Sequence, residues 1–131
     1  MTKSVQSTSE DGFTSTIEFA DSTLTIDATG QETADTLDHL LGVYAACYVP
    51  AFRVAAEQRN IGELGEMEFE ITGELNESDK LEAIAFDMQV DADLDADEVA
   101  TIVERASSLC KVHDALKESL HAQITINGHT A

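Results

Sequence analysis

Two cysteines, Cys47 and Cys110, carry the most distinctive chemistry in this chain of 131 residues. A thiol becomes a nucleophile when it ionises, and its surroundings decide whether it does so near neutral pH. Cys47 lies in Leu41-Gly42-Val43-Tyr44-Ala45-Ala46-Cys47-Tyr48, and Cys110 in Ala106-Ser107-Ser108-Leu109-Cys110-Lys111-Val112. Either one alone reads as a small buried hydrophobe, because free cysteine is among the most buried residue types. As a pair on core-facing helical positions, they mark the place where chemistry is expected. Metal chemistry is a weaker idea. His39, His113, His121 and His129 have no paired spacing with a second ligand set, so no zinc site is expected. The run Asp91 to Asp97 resembles a calcium loop, but Ala96 stands where the sixth position needs Gly, and Ile102 where the twelfth needs Glu. It reads instead as a strand end, a turn and a helix cap.

The elements that must position the thiols follow from hydrophobic periodicity. Residues 1–12 are polar and rich in Ser and Thr, a flexible N-terminus, and residues 13–131 read as a single domain. Phe13, Ser15, Ile17 and Phe19 alternate with polar residues, as do Leu24, Ile26 and Ala28, so two strands meet at an Asp21-Ser22 turn. From about Glu32 to Asn60, Leu37, Leu40, Leu41, Tyr44, Ala45 and Tyr48 recur at the helical period, and the middle of the segment is apolar almost all round. Pro50 is expected to kink or interrupt this helix near Ala46 to Val49. Met67, Phe69 and Ile71 then alternate with Glu66, Glu68 and Glu70, and Ile84, Phe86, Met88 and Val90 with Ala85, Asp87, Gln89 and Asp91, giving two half-buried strands around an Asn76–Asp79 turn. Asp95 and Glu98 have capping-box spacing before a helix whose apolar face is Val99, Ile102, Val103, Ala106, Leu109 and Cys110. A further helical stretch, Val112 to Leu120, precedes a closing strand through Ile124 and Ile126. The fold class is α+β in the order β-β-α-β-β-α-α-β.

Charge excludes several functions. Asp and Glu number 26 against 7 Lys and Arg, a net charge of −19. Nucleic-acid binding needs clustered cations to displace counterions from phosphates, and attraction to anionic membranes needs the same sign. The acids sit on the outward side of nearly every expected element, which favours a solvated acidic surface over a cation site or a disordered tail. Such a surface repels itself in dilute buffer and is tolerated where salt screens it, as in a halophile cytoplasm. The first residues lack an apolar signal core, and the longest charge-free stretch, Leu40 to Phe52, is too short to span a bilayer. A soluble, cytoplasmic protein is expected. Two cysteines in a reducing cytoplasm are not a structural disulfide framework, and Asn76-Glu77-Ser78 has no meaning as a glycosylation acceptor there.

The element order, the Ala45-Ala46-Cys47 element on a long central helix, and the Ala106-x-x-x-Cys110-x-Val112 element some sixty residues later resemble the OsmC/Ohr family of osmotically inducible and organic-hydroperoxide-resistance proteins. The resemblance covers residues 13 to 127 and implies an intertwined homodimer with its central helices buried between curved sheets. It further implies thiol peroxidase chemistry. Cys47 would be oxidised by an organic hydroperoxide to a sulfenic acid, and Cys110 would condense with it to a disulfide that a dithiol reductant opens. No metal, flavin or other cofactor is implied. Tyr44, Tyr48 and Phe52 would line an apolar substrate pocket.

The sequence also departs from the family pattern. Peroxidase members supply an arginine from the N-terminal strands, whereas residues 4 to 52 here contain neither Arg nor Lys. On an ideal helix Arg53 lies about 120° around from Cys47, and Arg105 about 140° around from Cys110. The family's glutamate ahead of the first cysteine is displaced, with Leu37 ten residues before Cys47 and Asp38 nine before. Lys111 replaces the proline that commonly follows the second cysteine, and a lysine there would lower a nearby thiol's pKa. Asp38, Arg53 and Lys111 are therefore the supporting residues to test. The alternative is an OsmC-fold stress or ligand-binding dimer whose cysteines are structural or redox-sensing.

Overall fold

A computed structural model describes residues 1–129; residues 130 and 131 and the side chain of His129, one of the four imidazoles weighed above, lie outside the described residues. The chain separates into two compact units, Met1–Leu40 and Leu41 onward.

In the first unit, β1 (Gln6–Thr8), β2 (Thr14–Glu18) and β3 (Thr23–Asp27) form an antiparallel sheet in sequence order. The Phe19 N–H donates to the Ser22 carbonyl at 2.8 Å, closing the turn expected at Asp21-Ser22. β1 was not legible as a strand. Its side chains are all exposed, and backbone pairing of Gln6 with Glu18 and Thr8 with Thr16 orders part of the end read as flexible. After β3 the chain turns on Asp27, whose carboxylate accepts from the Thr29 N–H and hydroxyl and from the Glu32 N–H. Helix α1 (Thr36–Gln58) then starts from a reciprocal cap: the Asp38 N–H donates to Asp35 Oδ1 at 2.8 Å, and the Asp35 N–H to Asp38 Oδ2 at 3.1 Å.

α1 runs through Pro50 as one element, so the expected interruption does not occur. By length and composition it is apolar enough to cross a membrane. Seven of its side chains, Tyr44 to Ala56, are nevertheless buried within the chain, as in a soluble core helix. Its burial is one-sided rather than all round. Val43 and Val54 are exposed, as are Ala46 and Pro50 on the same stripe.

The second sheet has the order β4 (Met67–Leu75), β5 (Leu81–Asp93), β6 (Gln123–His129), antiparallel between the first two strands and parallel between the last two. Alternation along β5 is strict: Ile84, Phe86, Met88 and Val90 are buried while Ala85, Asp87, Gln89 and Asp91 face solvent. α1 packs on the apolar side, with the Tyr44 and Tyr48 rings 4.9 and 5.4 Å from Phe86. Gly73 permits the approach, because a Cβ there would lie 2.7 Å from Leu81 Cδ2 and 3.1 Å from Leu41 Cδ1. The solvent side is acidic enough that Glu70 sits directly opposite Asp87, a like-charge pair that destabilises a sheet unless screened.

α2 (Ala96–Leu109) begins with the expected capping box, in which Asp95 Oδ1 accepts from the Glu98 N–H and Glu98 Oε1 from the Asp95 N–H. The following helical stretch is shorter than the periodicity suggests. α3 spans only Lys111–Ala115, and a single 3-10 turn covers Glu118–Leu120. Cys110 is not on a helix. It is the extended residue shared as the end of α2 and the cap of α3, at φ −76° and ψ 114°.

Candidate active site: two thiols at the α2–α3 junction

Helical spacing on α1 puts Tyr44, Cys47 and Tyr48 at i, i+3 and i+4, hence on neighbouring parts of one face. The partner surface is the α2–α3 junction. There Cys110 is 2% exposed, and its sulfur accepts the His113 N–H at 3.4 Å as the cap of α3. Cys47 is half-buried and lies against the Cys110 thiol, so residues some sixty apart in sequence share one small site.

The two thiols are poised differently. Burial pushes Cys47 up, but the Val112 N–H, the Cys110 thiol, the Lys111 N–H and the Lys111 ammonium outweigh it, and Cys47 falls below the ordinary thiol range. Burial raises Cys110 too, to about 11. The His113 N–H opposes that rise, and the neighbouring Cys47 sulfur adds to it. Of the two thiols, Cys47 is the more readily ionised.

A polar cluster lies beside the sulfurs. The Ala122 N–H donates to the Tyr44 hydroxyl at 3.0 Å, which leaves that hydroxyl's own proton to be donated to His113 Nδ1 at 2.7 Å. The Tyr48 hydroxyl is 3.0 Å from the same nitrogen and 2.9 Å from Ser107 Oγ. The His113 ring stacks on His121 with centroids 3.7 Å apart, and the His121 Nε2–H donates to the Leu116 carbonyl at 3.2 Å. Burial, then the neighbouring His121, lowers the His113 pKa against the opposing pull of Asp114 and so favours the neutral ring, whose Nδ1 accepts in the tautomer that matches the Tyr44 proton. Burial raises both tyrosines, so their protons stay in place. A cavity of about 660 Å³ opens at this junction, with Ser107, Cys110, Lys111, His113 and His121 among its lining residues.

The other residues singled out from the sequence are distributed differently. Lys111 is at the site and acts on Cys47. Tyr44, Tyr48 and Phe52 are fully buried: Tyr48 stacks on Phe52, both tyrosines meet Phe86 edge to face, and the two hydroxyls turn to His113. Asp38 is engaged in the α1 cap. Arg53 is exposed, and its guanidinium donates to the Gly65 carbonyl at 2.8 Å beside a separate cavity of about 860 Å³. Arg105 donates to Gln58 Oε1 and Ser108 Oγ. Sequence reasoning passed over Ser107, His113 and His121. The histidines were weighed only as zinc ligands, although the i, i+3 spacing of Cys110 and His113 was a usable sign that they share a turn.

The α+β fold, the long core helix and the two adjacent thiols leave the family open, and comparison with known proteins makes it specific. The profile of the OsmC-like protein family matches residues 29–125, and the chain belongs to that family. An uncharacterized protein of Haloferax volcanii is 42% identical over 120 residues, covering 92% of this chain and 91% of that one. The fold is shared with the OsmC-like protein of Mycoplasma pneumoniae (TM-score 0.76, 19% identity, 99% of both chains). It is also shared with an organic hydroperoxide resistance protein of Bacillus subtilis (TM-score 0.70, 22% identity, 95% of this chain and 98% of that one).

Proposed function

We propose that the protein is a thiol peroxidase that reduces organic hydroperoxides through Cys47 and Cys110. The observation that carries this reading is the pairing of a half-buried thiol poised below the ordinary range with a buried neighbour that stays protonated. The Cys47 thiolate attacks the outer oxygen of R–OOH. The O–O bond breaks, the alkoxide takes a proton to leave as ROH, and Cys47 becomes a sulfenic acid. The Cys110 thiol then condenses with it, forming the Cys47–Cys110 disulfide and releasing water. A dithiol reductant returns both thiols by exchange and is itself oxidised to a disulfide.

The working form in this reading is a cytoplasmic homodimer in a salt-adapted cell. The exposed α1 stripe of Val43, Ala46, Pro50 and Val54 is apolar surface that a second copy would cover. A net charge of −19 suits molar salt. A second reading, an OsmC-fold binding or redox-sensing dimer without turnover, is favoured by one feature: Arg53 and Arg105 both spend their guanidinium groups away from Cys47.

The test is a count of free thiols in molar salt before and after stoichiometric cumene hydroperoxide, with hydrogen peroxide as comparison. Rapid loss of both thiols to an intramolecular disulfide, faster with the organic peroxide, is expected. Thiols that react no faster than free cysteine would leave the second reading in place.

A further inference from the structure

The backbone groups facing Cys47 belong to a five-residue helix that has little holding power of its own. α3 ends at Ala115, none of its residues is buried, and isolated helices of that length do not persist in water. Its N–H groups can favour a thiolate only if something fixes where they point. Within α3, His113 is the residue with side-chain bonds to α1, through the two buried tyrosine hydroxyls at 2.7 and 3.0 Å. Its own N–H holds the Cys110 sulfur, and its ring is backed by His121. Tyr44 and Tyr48 are in turn immobilised by Phe86 and by the Ala122 N–H.

We propose that His113 is a positioning residue: by accepting from the Tyr44 hydroxyl, with the Tyr48 hydroxyl packed beside the same nitrogen, it pins the Cys110–His113 segment to α1 so that the Lys111 and Val112 N–H groups point at the Cys47 sulfur. This deepens the peroxidase reading and rests on it for its biological use. It gives this chain a source of thiolate stabilisation that does not depend on an arginine. The charged and titratable groups around the lock are Cys110 and Lys111 beside Cys47, and His121, Asp114, Tyr44 and Tyr48 beside His113.

The experiment is the pH profile of Cys47 alkylation by iodoacetamide, resolved by peptide mass spectrometry on the full chain in molar salt. Wild type is compared with His113→Leu, which removes the acceptor, and His113→Asn, whose Oδ1 can occupy the place of Nδ1. His113→Leu is expected to slow alkylation at pH 7 by about tenfold, the loss of a good hydrogen bond to a charged group, and to move the profile to higher pH. His113→Asn is expected to restore most of the wild-type rate. Equal profiles in wild type and His113→Leu overturn the proposal, and so does an equal loss in both variants, which would mean bulk packing rather than the acceptor. Tyr44→Phe guards against a His113→Leu chain that fails to fold: it keeps the ring and removes the donor, and an unchanged profile there also counts against the lock. Alkylation does not require peroxide turnover, so a failed thiol-count assay with an intact His113 effect would reject the enzyme and keep the lock.

Discussion

Cys47 on α1 and Cys110 at the α2–α3 junction lie against each other, yet the two segments that carry them treat a thiol in opposite ways. Cys47 projects from a regular helix and finds its stabilising groups on another element: the Val112 and Lys111 N–H groups and the Lys111 ammonium. Cys110 sits inside the turn it caps, almost without solvent, and the His113 and Val112 N–H groups that favour its thiolate do not offset burial. A cysteine's chemistry therefore depends less on the helix it belongs to than on which element's unpaired N–H groups reach it. The same comparison separates the cations. Lys111, next to Cys110 in sequence, acts on Cys47, whereas Arg53, on the same helix as Cys47, bonds to Gly65.

The largest expected effect is on the comparison itself. At pH 8, site-resolved alkylation should modify Cys47 faster than Cys110 by on the order of 100-fold or more, because a thiol at about 11 is ionised in only about one molecule in a thousand there. The sign follows from the two shifts: Cys47 stays reactive at lower pH than free cysteine, and Cys110 gains reactivity only as pH approaches 11. Comparable rates at pH 8 would break the contrast. Next come the serine replacements. Cys47→Ser should abolish peroxide-driven thiol loss, and Cys110→Ser should stop after one event with a sulfenic acid that dimedone traps. Activity unchanged by Cys47→Ser would remove the enzyme reading. Smallest is Lys111→Gln, which should slow Cys47 alkylation about two- to threefold in dilute buffer and less in molar salt, since an exposed charge is screened. An effect of equal size in both salts would mean that Lys111 acts by something other than its charge.

Much of the fold was legible because its elements obey simple periods. β4 and β5 alternate at two, α1 repeats its apolar positions at the helical period, and Asp95 with Glu98 announces the start of α2. β1 was illegible because Gln6–Thr8 has no apolar side to show, and its pairing is made by backbone alone. Pro50 does not interrupt the helix, one of the two outcomes expected of it. It lies on the exposed stripe of α1, and the helix runs through it with seven buried side chains anchoring the element. Cys110 completed an apolar helical face in the periodicity, but the backbone leaves the helix there and lets its sulfur cap the next one.

The sequence by itself determined the α+β class, the acidic surface, the capping of α2 and the two residue types able to do thiol chemistry. Each of these is a matter of composition or of spacing within about two helical turns. Tertiary structure decided the rest. It brought Cys47 to the Lys111 and Val112 N–H groups, assigned Arg53 to Gly65, and drew His113 into the Tyr44–Tyr48 cluster. The physical reason is range. Desolvation and the reach of a peptide N–H act over a few ångströms, and only packing determines which distant residues come that close.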